Sequence, residues 1–314
     1  MKFKEFIPIW IADKKPYVKC SSLEAYKLMI RIHLLPTFGD LEIEQIDSEL
    51  VTRYALSQLD NKLSLKRVQD ILITLKTILR CAYIKGVINQ SKIIEVRYPK
   101  SYQDNFTKQK IETFNDSDYT KLINYCKEHL NSRNLGLLIV AYSGMRIGEI
   151  CALKWEDVDI ENEVIEINKT LQRVYLDEDD EERKDKNTSI IIQSAKTVNS
   201  NRCIPIINDL LKILKPLKKI YNSNSYILTN EEKPTEPRTY RQYYKQLLEK
   251  LNIKYLKFHG LRHSFATRCI NKGIDVKTVG DILGHSKVEI TMNLYVHPTN
   301  DTKKQAIQKA FRGI

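Results

Sequence analysis

The sequence predicts a mainly helical protein of two domains, with a small antiparallel β-sheet in the second. Three observations point there. Apolar residues recur at helical spacing through the first hundred positions, and that periodicity lapses from Val96 to Thr113. Short β-branched runs between Glu163 and Ile206 then interrupt a second helical region. A length of 314 residues also exceeds what one small core needs, so two domains are the natural expectation.

The elements follow in order. Phe3 to Trp10 reads as a first helix, and Ser22 precedes a second periodic run through Ile32, broken by Pro36 and Gly39. Leu65, Val68, Ile71, Leu72, Leu75, Ile78 and Leu79 mark a third, with Gly86 suited to its C-cap. The polar faces carry Lys14, Lys27, Arg31, Lys66, Arg67 and Lys76, which gives a helical bundle with basic surfaces over 1–103. A linker is expected at 104–114 and a second domain over 115–314. There Asp116 can cap a helix through Leu130, and Leu135 to Tyr142 forms another. Glu163–Ile167, Ser189–Ile192 and Arg202–Ile206 suit strands, the first two joined by an arm holding six acids at 177–182. Helices resume after Asn208, Pro237 opens one through Leu251, and a tail helix is expected over 299–314.

Charge and composition narrow the partners. Lys and Arg total 51 against 39 Asp and Glu, a formal net charge of +12, which favours a polyanion and above all nucleic acid. The six cysteines are dispersed and form no CxxC pair, so buried reduced thiols are expected rather than a zinc site or disulfide framework. No apolar stretch approaches the ~20 residues of a membrane span, and Met1 to Trp10 is charged and short for a secretory signal. A cytoplasmic, DNA-associated protein without membrane contact is the expectation.

Four segments carry chemistry. In Ser143-Gly144-Met145-Arg146-Ile147-Gly148-Glu149-Ile150 a helix ends at Gly144 and Arg146 opens the next, where a guanidinium can hold a phosphate. Ser194-Ala195-Lys196-Thr197 lies in a turn between strands. His259-Gly260-Leu261-Arg262-His263 enters a helix, with His259 and Arg262 on one side of it. Leu283-Gly284-His285-Ser286 is followed ten residues after His285 by Tyr295. Each alone is weak: a surface arginine, a solvated turn lysine, a chance His-x-x-Arg and one tyrosine among 17. Together, cations and hydrogen-bonding groups with a phenol suit attack on a phosphodiester. The attacked phosphorus becomes five-coordinate and dianion-like, and two arginines can grip its oxygens in paired hydrogen bonds. A phenol of pKa roughly 10 needs an acceptor or nearby cations to react, and the departing 5′ oxygen needs a proton. Carboxylates near these segments are few, Glu149 being the clearest, so no metal or other cofactor is expected.

In combination these segments resemble the tyrosine recombinase (phage integrase) family over nearly the whole chain. The resemblance implies a helical core-binding domain followed by an α+β catalytic domain. Arg146 and Arg262 match the family's two phosphate-gripping arginines, and Glu149 the acid that braces the site. Lys196 matches the hairpin lysine that protonates the leaving 5′ oxygen, with Lys184, Lys186 and Arg202 as alternatives on the long arm. His259 matches the His-x-x-Arg histidine, His285 the second histidine, and Tyr295 the nucleophile. Gly260 stands where many members have Asp, which removes a helix-capping contact. Many integrases begin with an extra arm-binding domain, which is expected to be absent because Phe3 to Trp10 already reads as the first core-binding helix.

The implied activity is site-specific recombination of double-stranded DNA through a 3′-phosphotyrosyl link. Four copies would act on two sites, with an accessory directionality factor as a possible partner. Integration or excision of a mobile element is favoured over Xer-type dimer resolution, and both over a type IB topoisomerase. For DNA contact, the helix after Pro237 offers Arg238, Tyr240, Arg241 and Lys245.

Overall fold

A computed structural model describes residues 1–91, 93–99, 111–175, 188–194 and 201–295, with 304, 308 and 311 beyond them. Lys196, Lys184, Lys186, the acidic run 177–182, linker positions 104–110 and most of the tail 299–314 lie outside the described residues. The chain divides into two compact units, Met1–Gln109 with Val174–Ser189, and Lys110–Arg173 with Ile190–Ile314.

The first unit is helical. Its helices are α1 (Phe3–Lys14), α2 (Cys20–Met29), α3 (Leu35–Phe38), α4 (Ser48–Asp60) and α5 (Leu65–Ile84). Asp47 and Ser64 cap α4 and α5 by accepting from the Leu50 and Arg67 backbone N–H groups. Phe3, Phe6, Trp10, Leu34, Phe38, Val68 and Leu75 lie in one buried core. Two local expectations change. Lys19, not Ser22, sits at the N-cap of α2, and the chain stays helical through Pro36. A π-helical stretch, Ile30–Leu34, precedes α3, so Pro36 enters a first turn where its missing N–H costs nothing.

The second unit holds α6 (Asp116–Glu128), α7 (Ser132–Ser143) and α8 (Ile147–Ala152), then three strands and most of two more, then five helices, among the described residues. The cap of α6 is Asn115 rather than Asp116, its side chain accepting from the Asp118 N–H. The strands are β1 (Val158–Asp159), β2 (Val164–Ile167), β3 (Lys169–Tyr175), β4 (Thr188–Ser194) and β5 (Arg202–Pro205). Where one sheet is expected, the described residues hold two: an antiparallel β1-β2-β5 sheet and a β3-β4 pair. Ile165 lies opposite Ile204 and Ile167 opposite Arg202. Because side chains alternate along a strand, Arg202 shares the inward face with Ile204.

The closing helices are α9 (Asn208–Ile220), α10 (Pro237–Lys250), α11 (His259–Asn271), α12 (Val276–Leu283) and α13 (Val288–Tyr295). Helix α11 packs against α7, α12 and α13. The chain must turn sharply after α7 and after α12, and each helix ends on a left-handed glycine, Gly144 at φ 65° and Gly284 at φ 68°. At Gly144 a Cβ would also stand 2.6 Å from side-chain carbons of both Leu283 and Phe265.

Left-handed backbone disfavours any L side chain, and this packing leaves it no room. Gly144→Ala is therefore expected to destabilise the chain by about 2 kcal/mol or more, as a lower urea midpoint with an unchanged slope.

Candidate active site

The site grows from the C-terminal end of α12. A helix leaves its last carbonyls without partners, and their aligned dipoles make that end negative. Here arginines take them. Arg202 Nε donates to Ile282 O at 2.6 Å, Arg146 Nη1 and Nη2 to Leu283 O at 3.3 Å and Gly284 O at 3.2 Å, and Arg262 Nη2 to Leu283 O at 2.8 Å. Arg262 Nη1 reaches Gly144 O at 2.9 Å, so both glycine turns present carbonyls to guanidinium groups.

Glu149 is the anion among them. It is 5% exposed and accepts from Arg146 N and Nη1 at 2.8 Å and from Arg202 Nη1 and Nη2 at 3.1 and 2.8 Å. Burial alone would raise its carboxyl, but the Arg202 hydrogen bonds and charge, then Arg146, outweigh that and hold it below the ordinary value. Arg146 and Arg202 thus share one carboxylate, and with Arg262 beside them the cluster among the described residues keeps a net positive charge.

Arg262 is the least compensated of the three. It is 1% exposed, and its hydrogen-bond partners are carbonyls alone among the described residues. Burial first, and then the charge of Arg146, bring its pKa down to about 9, so it stays charged at neutral pH. Five N–H donors per guanidinium leave both Arg146 and Arg262 with hydrogens to offer an anion.

The imidazoles are held neutral. His285 follows α12 directly, and its Nδ1 lies 2.8 Å from the buried Thr291 Oγ1, which leaves Nε2 to meet a ligand. Burial and then the charges of Arg262 and Arg146 push His285 down to about 4. His259, on α11, is also lowered to about 4, by burial and then by His263 and Arg262.

Tyr295 ends α13 and is 8% exposed. Its hydroxyl lies 2.7 Å from His263 Nδ1. Burial raises its pKa, while the positive charges of Arg262 and Arg146 act in the opposite sense. Six residues singled out from the sequence, Arg146, Glu149, His259, Arg262, His285 and Tyr295, therefore meet in one place within the second unit. The remaining one, Lys196, is not described.

Three residues of the site escape the sequence reading. Arg202 is read as a stand-in for the hairpin lysine, but it is 6% exposed along its side chain and clamped on Glu149. The alternation Arg202-Ile204-Ile206 places it in the apolar phase of a strand, a signal that its partner is buried. His263 lies one turn after His259 on α11, and Thr291 one turn before Tyr295 on α13.

The candidate DNA-contact helix needs one correction. Arg238, Arg241 and Lys245 are exposed on α10, Lys245 lying 3.6 Å from Glu249. Tyr240 is fully buried, and its hydroxyl donates to Arg133 O at 2.8 Å. It belongs to the core face with Tyr244, Leu247 and Leu248 and cannot reach a nucleic acid. Arg238 instead lines an open cavity of about 440 Å³ with Arg133, Gln242 and Tyr243. Among the described residues no group of three or more His, Cys, Asp or Glu is placed to hold a metal ion, and no helix is long and apolar enough to cross a membrane.

Comparison with known proteins gives concordant matches. A family model described as the phage integrase family matches residues 112–302, and one described as the phage integrase N-terminal SAM-like domain matches 2–55. A protein described as tyrosine recombinase XerC-like, from Caldanaerobacter subterraneus subsp. tengcongensis, is 28% identical over 286 residues, 85% of this chain and 71% of that protein. The ICEBs1 integrase of Bacillus subtilis is 22% identical over 98% of this chain and 82% of its own. Among solved structures, the Tn1549 transposon integrase in complex with transposon right end DNA has a TM-score of 0.78 at 20% identity, covering 99% of both chains. A λ integrase tetramer bound to a Holliday junction gives 0.63 at 16%, over 96% of this chain and 80% of that one. These structures share the fold.

Two outcomes follow from the electrostatics. Arg202→Ala leaves Glu149 buried with half its charge partners and is expected to cost about 3–5 kcal/mol in urea unfolding, with Arg202→Lys recovering only part because the paired geometry is lost. The second concerns pH. A histidine at about 4 when folded, against about 6.5 when unfolded, takes up its proton first in the unfolded chain. Stability should therefore fall as pH drops from about 6.5 towards 4, and His285→Gln should show a shallower fall in its urea midpoint over that window.

Proposed function

The chain belongs to the phage integrase family and is a tyrosine-type site-specific DNA recombinase, and from that premise we propose that Tyr295 is the residue that joins covalently to DNA. The observation that carries this reading is Arg262. A guanidinium buried with carbonyl partners alone among the described residues, beside Arg146 and a buried phenol, is complementary to an anion that gathers charge as it reacts.

In this proposal Arg146 and Arg262 hold the non-bridging oxygens of the scissile phosphate, and His285 and His259 add hydrogen bonds to it. Tyr295 Oη attacks phosphorus in line, the Oη–P bond forms and the P–O5′ bond breaks. Lys196 gives its proton to O5′, which leaves as a hydroxyl. The strand end stays on the protein as a 3′-phosphotyrosine, so no ATP is consumed, and a 5′-hydroxyl from the partner duplex reverses the step. Glu149, itself held by Arg202, keeps Arg146 in position.

DNA is the partner. We propose four copies on two sites, Arg238, Arg241 and Lys245 on the phosphate backbone or base edges, a tail that docks on a neighbouring copy, an accessory directionality factor and action in the cytoplasm. Integration and excision of a mobile element is the preferred role, supported by the ICEBs1 and Tn1549 integrases among the similar proteins. The XerC-like relative favours dimer resolution as the second reading.

A suicide duplex, nicked so that the cleaved end diffuses away, should trap a covalent adduct visible on a denaturing gel. Tyr295→Phe is expected to form none, and an adduct at the wild-type level would remove Tyr295 from this role. Arg262→Ala should slow trapping by ~10²–10³. Lys196→Ala should be slow on ordinary DNA and recover when the 5′-bridging oxygen is replaced by sulfur, whose thiolate leaves without a proton. Recombinant joints between two sites, rather than relaxed circles alone, separate recombination from topoisomerase action.

A further inference from the structure

The reaction needs an acceptor for the phenolic proton, and among the described residues Arg146, Glu149, His259, Arg262 and His285 none is hydrogen-bonded to Tyr295. Among the described residues the phenol has one hydrogen-bond partner, His263 Nδ1 at 2.7 Å. We propose that His263 takes the proton of Tyr295 as its oxygen attacks phosphorus, and returns it when the strand is rejoined. This rests on Tyr295 being the nucleophile.

Geometry favours His263 over the other two imidazoles. His285 has its Nδ1 engaged with Thr291, and the His259 ring meets the edge of the His263 ring, with centroids 4.5 Å apart, rather than the phenol. His263 and Tyr295 are tilted against each other at 5.5 Å, with Tyr295 buried and His263 half-buried, so water does not compete freely for the contact. To accept at Nδ1, His263 carries its hydrogen on Nε2.

The ring also has the right charge for the task. His263 is held below its ordinary value by burial and then by Arg262, so it is neutral and ready to accept near pH 7. His259 and Arg262 lie on its own helix. The helices packed against α11 bring Arg133 and Tyr142 on α7, Lys277 and Asp281 on α12, and Glu289 and Tyr295 on α13. Of these, Tyr295 alone hydrogen-bonds the ring, and Arg262 is the charge that lowers it.

The step balances. In cleavage the Oη–H bond breaks, Nδ1–H and Oη–P form, P–O5′ breaks and O5′ takes the proton of Lys196. As the proton moves, the forming imidazolium faces a phosphorus centre whose oxygens gather negative charge in the transition state. In rejoining, His263 protonates the departing Tyr295 oxygen, and Lys196 recovers its proton from the incoming hydroxyl.

The test is single-turnover trapping on the nicked duplex with the full chain. His263→Gln and His263→Ala are expected to cleave ~10²-fold slower or worse, while binding the duplex as the wild type does. The wild-type rate should fall on the acid side as His263 is protonated. That limb should be missing from His263→Gln, whose rate should climb with pH as the phenol ionises. Added imidazole should restore His263→Ala in proportion to its neutral form. A fluorinated tyrosine placed at 295, which ionises more readily, should restore His263→Gln. Wild-type rates in the variants overturn the proposal, and so does a loss that neither imidazole nor the fluorinated phenol recovers. Tyr295→Phe, run alongside, keeps the outcomes apart: an adduct there sinks the nucleophile, whereas no adduct there with fast His263 variants sinks the base alone.

Discussion

Three guanidinium groups cannot be gathered around one point unless something negative gathers them, and here the C-terminal end of α12 does most of that work. Ile282, Leu283 and Gly284 offer successive carbonyls to Arg202, Arg146 and Arg262, and Glu149 lies between Arg146 and Arg202. Carbonyl dipoles attract cations without neutralising them. A second carboxylate would have cancelled the field that a phosphate must meet, whereas a helix end holds the arginines and leaves that field in place. The same chain segment continues into His285 and then α13 with Tyr295, so the element that collects the cations also leads to the buried phenol.

That field sorts the titratable groups by what they can do. The arginines remain charged even where burial opposes it, and the histidines beside them are driven neutral by the same charges. Permanent cations suit the phosphate oxygens, whose charge grows during attack. Neutral imidazoles suit hydrogen bonding and proton uptake, which a ring already protonated could not perform. One electrostatic environment therefore supports both tasks, and it does so because burial and neighbouring charge act in the same direction on His and in opposite directions on Tyr295.

Much of this was legible in the sequence. Long apolar periodicities gave the helices α5, α7 and α10 to within a few residues, since packing and propensity agree there. The motif residues were readable because phosphoryl chemistry admits few side-chain types. What escaped was whatever depends on long-range pairing. Arg202 meets Glu149 across 53 positions, and nothing local marks that partner. Strand β3, with Lys169, Gln172 and Arg173 among its residues, carries too little apolar alternation to announce itself. Tyr240 is a different kind of miss. Its spacing to Tyr244, Leu247 and Leu248 already traced a core face, but a basic, aromatic helix invited a DNA-binding reading of Tyr240 together with Arg238, Arg241 and Lys245.

A buried Arg262 whose hydrogen-bond partners are carbonyls alone among the described residues is poor for stability and suited to meeting an anion. Taking a cation out of water costs several kcal/mol, and carbonyl hydrogen bonds offset only part of that. An apolar residue of similar volume would fold at least as well in that position. The arginine makes sense only if the protein meets an anion there often enough for binding to offset the folding cost, since a ligand that binds the folded state alone stabilises it. The strain is then drawn towards the phosphate and is relieved most when the phosphate carries most charge, which is during attack rather than before it. Of the three guanidinium groups, the least compensated, Arg262, is the one on which the proposed reaction would draw most.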